Sequence, residues 1–118
     1  MTDLSDMSER EYFALFAKRS GMYILRSSFP AVTAFMQGYD FAARRNGSRG
    51  LDGWREWLMT NHHVSSNFSW QAQILEIALP GWEGGWDLTA EQDAHAVVVL
   101  LELFDTFLTE REAAEPRR

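Results

Sequence analysis

The side chains with the most chemical reach in this chain are its three histidines, His62, His63 and His95, and the acids and hydroxyls near them. Glu91 and His95 are four residues apart and share one face of a helix, which is half of a metal-ligand spacing. His62 and His63 are adjacent and diverge on any helix, so further ligands would have to arrive from distant parts of the chain. No familiar metal spacing is present, and no metal is expected. Ser65 and Ser66 beside the histidines raise Ser-His-Asp hydrolysis, but the Gly-x-Ser-x-Gly nucleophile turn is missing. Glu102 and Asp105 are of the types that work as an acid–base pair, yet they fall on a regular amphipathic helix, where a solvated face is the ordinary explanation. The glycine-rich strings Gly47-Ser48-Arg49-Gly50 and Gly81-Trp82-Glu83-Gly84-Gly85 match neither dinucleotide nor phosphate-loop patterns, and Glu83 stands where a phosphate needs positive charge. With no cysteine, the chain has no thiolate nucleophile, disulfide or thiolate-bound metal. The expectation is a non-enzyme without a cofactor.

What remains is recognition chemistry. The formal net charge is −6, and residues 61–118 hold ten acids against three bases. The middle is mildly basic through Arg26, Arg44, Arg45, Arg49 and Arg55. An acidic body repels phosphate backbones and draws basic partners, although solubility alone also favours such a charge. Trp82 and Trp86 occupy a glycine-rich loop with Glu83 and Asp87, and Glu91 and Asp93 follow. Tryptophan beside acid is the composition of an interaction hot spot. The expected partner-binding set is Trp82, Glu83, Asp87, Glu91 and Asp93, with Trp82 as the anchor and Trp86 folded back on the core. A second reading puts a small-molecule pocket among Tyr23, Tyr39, Trp54 and Trp57. A DNA-reading helix pair is disfavoured, because residues 67–79 contain Glu76 and no lysine or arginine to meet phosphates.

The elements that must carry these residues are read from caps and periodicity. Ser8 with Glu11 predicts a helix over residues 8–18 with Tyr12, Leu15 and Phe16 as its apolar stripe. Met22-Tyr23-Ile24-Leu25 is too short to assign by period. Pro30, after Ser28 or Phe29, starts a second helix bearing Val32, Phe35, Met36 and Tyr39, and Asn46-Gly47 stops it. Gly38 sits inside that helix, where glycine is unfavourable, and predicts a close approach by a neighbour. A third helix is expected from residue 52 or 53 to 59, with Asn61-His62-His63 as a polar break. A fourth is expected over 67–79, ended by Pro80-Gly81. Thr89 with Gln92 opens the fifth, whose core face is Val97, Leu100, Leu101, Phe104, Phe107 and Leu108. The chain reads as one all-α domain of about five helices over residues 1–111, with a polar, disordered tail at 112–118. Its longest apolar run, residues 96–101, is too short to span a bilayer, the first ten residues are not signal-like, and a cytoplasmic protein is expected.

Several blocks resemble a group of small bacterial proteins. They are Arg19-Ser20-Gly21-Met22-Tyr23-Ile24, the helix with Phe35, Gly38 and Tyr39, Trp54-Arg55-Glu56-Trp57-Leu58, Trp70, and Leu103-Phe104-Asp105-Thr106-Phe107-Leu108. The first block has Ser20 where the group has proline. The resemblance spans residues 19–108, and some of the group are similar to immunity proteins of bacterial toxin systems. It implies binding and neutralisation of a basic toxin domain, and it carries over no catalytic residue. Such a partner fits the acidic charge, since complementary fields speed capture.

Overall fold

The computed structural model describes residues 8–18 and 28–115. Five helices account for nearly all of the regular structure, and among the described residues there is no strand. They are α1 (Glu9–Lys18), α2 (Phe29–Arg45), α3 (Trp54–His62), α4 (Trp70–Ala78) and α5 (Ala90–Ala114). The protein is a single all-α domain. The apolar run at residues 22–25, Tyr23 among it, and the Phe16 side chain lie outside the described residues.

Each helix starts where a short polar side chain can satisfy free amide groups. Ser8 Oγ accepts from the Glu11 amide at 3.1 Å, Ser28 Oγ from Ala31 at 3.2 Å and Ser69 Oγ from Ala72 at 3.3 Å. Thr89 and Gln92 form a complete capping box at α5. The exception is α3, whose cap is Gly53 with φ +85° and no side-chain bond. Several boundaries move from their expected places. The Ser65–Phe68 turn delays α4 to Trp70. α3 continues through Asn61 and His62 and stops at His63, whose backbone is left-handed (φ 52°). α5 continues to Ala114, past the expected boundary at residue 112.

The long α5 packs against all four other helices. The reason is its sequence: Ala96, Val97, Leu100, Phe104, Phe107 and Leu108 recur at three and four residues and are all buried. A run of aromatic contacts crosses the core. Phe13 meets Phe104 edge-on at 4.8 Å, Phe104 meets Trp54 at 5.0 Å and Trp54 meets Phe107 at 5.4 Å. Among the described side chains of α1, Phe13 is buried and the expected Leu15 only partly so.

Gly38 corrects an expectation. It is exposed, and a Cβ there would meet nothing within 4 Å. No neighbour among the described residues approaches it, because the core face of α2 is Phe29, Val32, Met36 and Ala43. The close approach falls instead at Gly50 (φ +55°), where a Cβ would lie 2.5 Å from Asp40 Oδ1. That oxygen accepts from the Leu51 amide and from Arg44 Nε, each at 2.8 Å. The loop after α2 is thereby tied to α2 itself.

Candidate functional site

The Trp82–Asp93 segment is held at both ends. Pro80 cannot continue α4, and Gly81 (φ +83°) and Gly84 (φ +101°) take left-handed backbone that turns the loop back. Trp82 is half-buried. Its Nε1 donates to the Gly85 carbonyl at 2.6 Å, closing a tight loop. Its ring meets Phe68 edge-on at 5.8 Å and packs on the core. Leu88 also rests on the core, and the Thr89–Gln92 box begins α5.

Between these supports Trp86 projects outward. It is 57% exposed, and its contact is an edge-on one with Trp82 at 5.9 Å and 78°. Trp86, expected to fold back on the core, is thus displayed, and Trp82 is half-buried beneath it. The physical reason is the 82–85 hydrogen bond, which turns Trp82 inward and leaves Trp86 beyond the turn. Glu83, Asp87 and Glu91 are exposed beside it. None of the three forms an ion pair among the described residues, and no lysine or arginine occurs between residues 79 and 95.

Asp93 has a structural role. Its Oδ1 accepts from the Phe29 amide at 2.9 Å. The carboxylate thus bridges the first turn of α5 to the N-terminus of α2, where the partial positive charge of both helix ends favours it. It is a structural clasp between elements 64 positions apart in the chain.

Two supports went unrecognised in the sequence. Phe68 backs Trp82, and Arg55 donates through Nε and a terminal guanidinium nitrogen to the Phe68 carbonyl, at 3.3 and 3.0 Å. Arg55 reads in sequence as one of several middle-region cations, and nothing in its neighbours signals a carbonyl clamp thirteen residues away.

The three described members of the aromatic quartet do not line one cavity among the described residues. Tyr23 lies outside the described residues. Tyr39 stacks on Tyr12 at 5.6 Å and meets Phe13 at 4.8 Å. Phe13 and Phe104 stand between it and Trp54. Trp54 is wholly buried, and Trp57 stacks on it at 5.9 Å. The Tyr39 hydroxyl donates to Glu9 Oε2 at 2.8 Å. Burial, and then that bond to a carboxylate, pushes its pKa well above the ordinary tyrosine range.

The histidines and serines stand apart from one another. His62 tilts against Trp57 at 5.5 Å, while His63 and His95 are exposed. Ser65 is engaged in its turn, its amide donating to Glu76 and its Oγ accepting from Asn67. Among the described residues no three His, Cys, Asp or Glu side chains gather as a metal cluster. No helix among them is long and apolar enough to cross a membrane. No model of a known protein family, no curated protein and no solved structure matches this chain.

Proposed function

We propose that this protein is a non-catalytic binding module that captures a basic protein surface through its Trp82–Asp93 segment. The observation that carries the reading is Trp86, exposed at the tip of a pinned loop and flanked by Glu83, Asp87 and Glu91 with no ion-pair partner among the described residues. A rigid aromatic loses little conformational freedom on docking, and carboxylates around it steer a cationic partner inward. Following the resemblance to immunity proteins, we assign the partner to a basic toxin domain held in check by binding. The module acts in the cytoplasm in this reading, and needs no nucleic acid, membrane or cofactor.

The test is kinetic. A partner recovered by pull-down from the source cells is titrated against the wild type, against Trp86→Ala and against the double variant Glu83→Lys/Asp87→Lys. Charge reversal is expected to slow association about tenfold or more at low salt and less at high salt. Trp86→Ala is expected to cost about 2 kcal/mol or more of affinity, the size of a hot-spot truncation. Equal association rates for all three proteins, insensitive to salt, would remove the reading.

A further inference from the structure

α2 rests on α5 through the side that carries Phe29, Val32, Met36 and Ala43. Helical spacing puts Pro30, Ala34, Gly38, Phe41 and Ala42 on the opposite side. All five are exposed, and no charged residue interrupts them before Arg45. Phe41 is 66% exposed, more than Trp86. The outward face of a helix is ordinarily polar, so an uncharged face of this length, with a displayed aromatic ring, has the character of a contact surface.

The face is complementary to itself in shape. Phe41 stands one turn after Gly38, and Ala34 one turn before it. Gly38 has no side chain, and a Cβ there would meet nothing within 4 Å. A second α2, running antiparallel and crossing at Gly38, brings each Phe41 over the small Ala34 of the other copy. The glycine between them lets the two backbones approach. One two-fold operation fills both hollows with both rings.

The two ends of the face are also complementary in charge. Arg45 closes the C-terminal end, is exposed, and makes no ion pair among the described residues. At the other end the first turn of α5 brings Asp93 to the Phe29 amide, with Glu91 exposed in the same turn. Neither acid forms an ion pair among the described residues. Arg45 lies about 10 Å along the helix beyond Gly38, and Phe29 about 14 Å before it. Crossing at Gly38 therefore brings each Arg45 almost level with the acidic end of the other copy, and a long arginine side chain covers the rest. An unlike partner would have to supply an apolar middle, an acidic end and a basic end in that order. A second copy already has all three.

We propose that two copies of this chain pair antiparallel through the outer faces of α2, in a symmetric dimer that crosses at Gly38. The Trp86 loop takes no part in it. One helix pair is a small interface, so the dimer is weak and reversible. At dilutions that separate the copies Gly38 is an ordinary exposed helix position.

Sedimentation of the wild-type chain over a concentration series is expected to show a reversible monomer–dimer equilibrium. Phe41→Glu puts two like charges into the apolar contact and is expected to weaken it about tenfold or more. Arg45→Glu is expected to weaken it about threefold or more at low salt and less at high salt. Trp86→Ala is expected to leave it unchanged, which separates this contact from the capture of a basic partner. Circular dichroism checks that each variant folds. In a mixture of ¹³C-labelled and unlabelled chains, an NOE is expected between the Phe41 ring and the Ala34 methyl group. It can arise only between copies, since the two residues lie about 10 Å apart along one helix. A chain that stays monomeric at the concentration of that sample, as it would if another segment of the chain or an unlike protein covered the face, overturns the proposal. So does a dimer that lacks the NOE, is undiminished by Phe41→Glu, or is lost in Trp86→Ala.

Discussion

Two glycines behave oppositely. Gly38 is exposed with open space where a Cβ would go, so Gly38→Ala is expected to stabilise the protein by about 0.5–1 kcal/mol, as removal of a flexible residue from a helix interior does. Urea denaturation measures it, and a loss of stability would restore a packing role. Gly50 has φ +55° and no room before Asp40. Gly50→Ala is expected to cost about 2–4 kcal/mol, combining left-handed strain with displacement of a carboxylate that holds two hydrogen bonds. The position of Gly38 follows from helix geometry alone: it is two residues, about 200°, from Met36 and so faces away from the core. The need at Gly50 did not follow from local sequence, because its cause is Asp40, ten residues back and one helix away. The display of Trp86 has the same origin, a hydrogen bond from Trp82 to Gly85 that composition does not reveal.

At the level of helices, sequence periodicity predicted the number and order of the helices among the described residues, and the capping box at Thr89 marked the start of α5 to the residue. Such signals are local, so they survive without tertiary information. Ends without a strong cap drifted: α4 starts at Ser69's cap and not near Asn67, and α3 runs through residues whose polarity suggested a break. Among the described side chains of α1 the buried aromatic is Phe13, a neighbour of the expected stripe, because α5 and α2 decide which side faces inward. α5 is the element on which the others pack, and its centre should be the costliest place to open a cavity. Leu100→Ala and Phe104→Ala are expected to lose about 2–5 kcal/mol each in chemical denaturation, and a loss below 1 kcal/mol in both would displace α5 from that position. Asp93→Ala tests the clasp between α5 and α2. The expected cost is about 0.5–2 kcal/mol, the range of an N-terminal cap, with faster hydrogen exchange at the Phe29 amide. Unchanged exchange there would show that the bond contributes nothing.

Across the whole molecule, one polar relay links elements far apart in sequence. Tyr39 on α2 donates to Glu9 on α1, and Glu9 pairs with Arg111 on α5 at 3.4 Å. Arg111 then donates to the carbonyls of Gly50 and Asp52. The Tyr39 pKa is raised in the folded state, first by burial and then by the Glu9 bond. Below the ordinary tyrosine pKa of about 10 the hydroxyl is protonated in both states, and this contribution to stability is complete. Above it the unfolded chain releases its proton while the folded chain retains it, so stability falls as pH rises. Tyr39→Phe is expected to be less stable near neutrality and to lose less stability between pH 9 and pH 11 than the wild type. Parallel curves for the two proteins would refute the linkage. This relay was not visible in sequence, since it joins residues about 30 to 100 positions apart by contacts that leave no local pattern.

The Glu9–Arg111 pair also sets where handles can be attached. Residues near 9 and near 111 emerge at the same pole of the domain, while the Trp86 loop lies at the other end of α5, about 30 Å away at helical rise. A label on the exposed Glu112 sits at that pole and leaves Trp86 clear. Sensor experiments on protein held by that label therefore keep the Trp86 loop open to a partner.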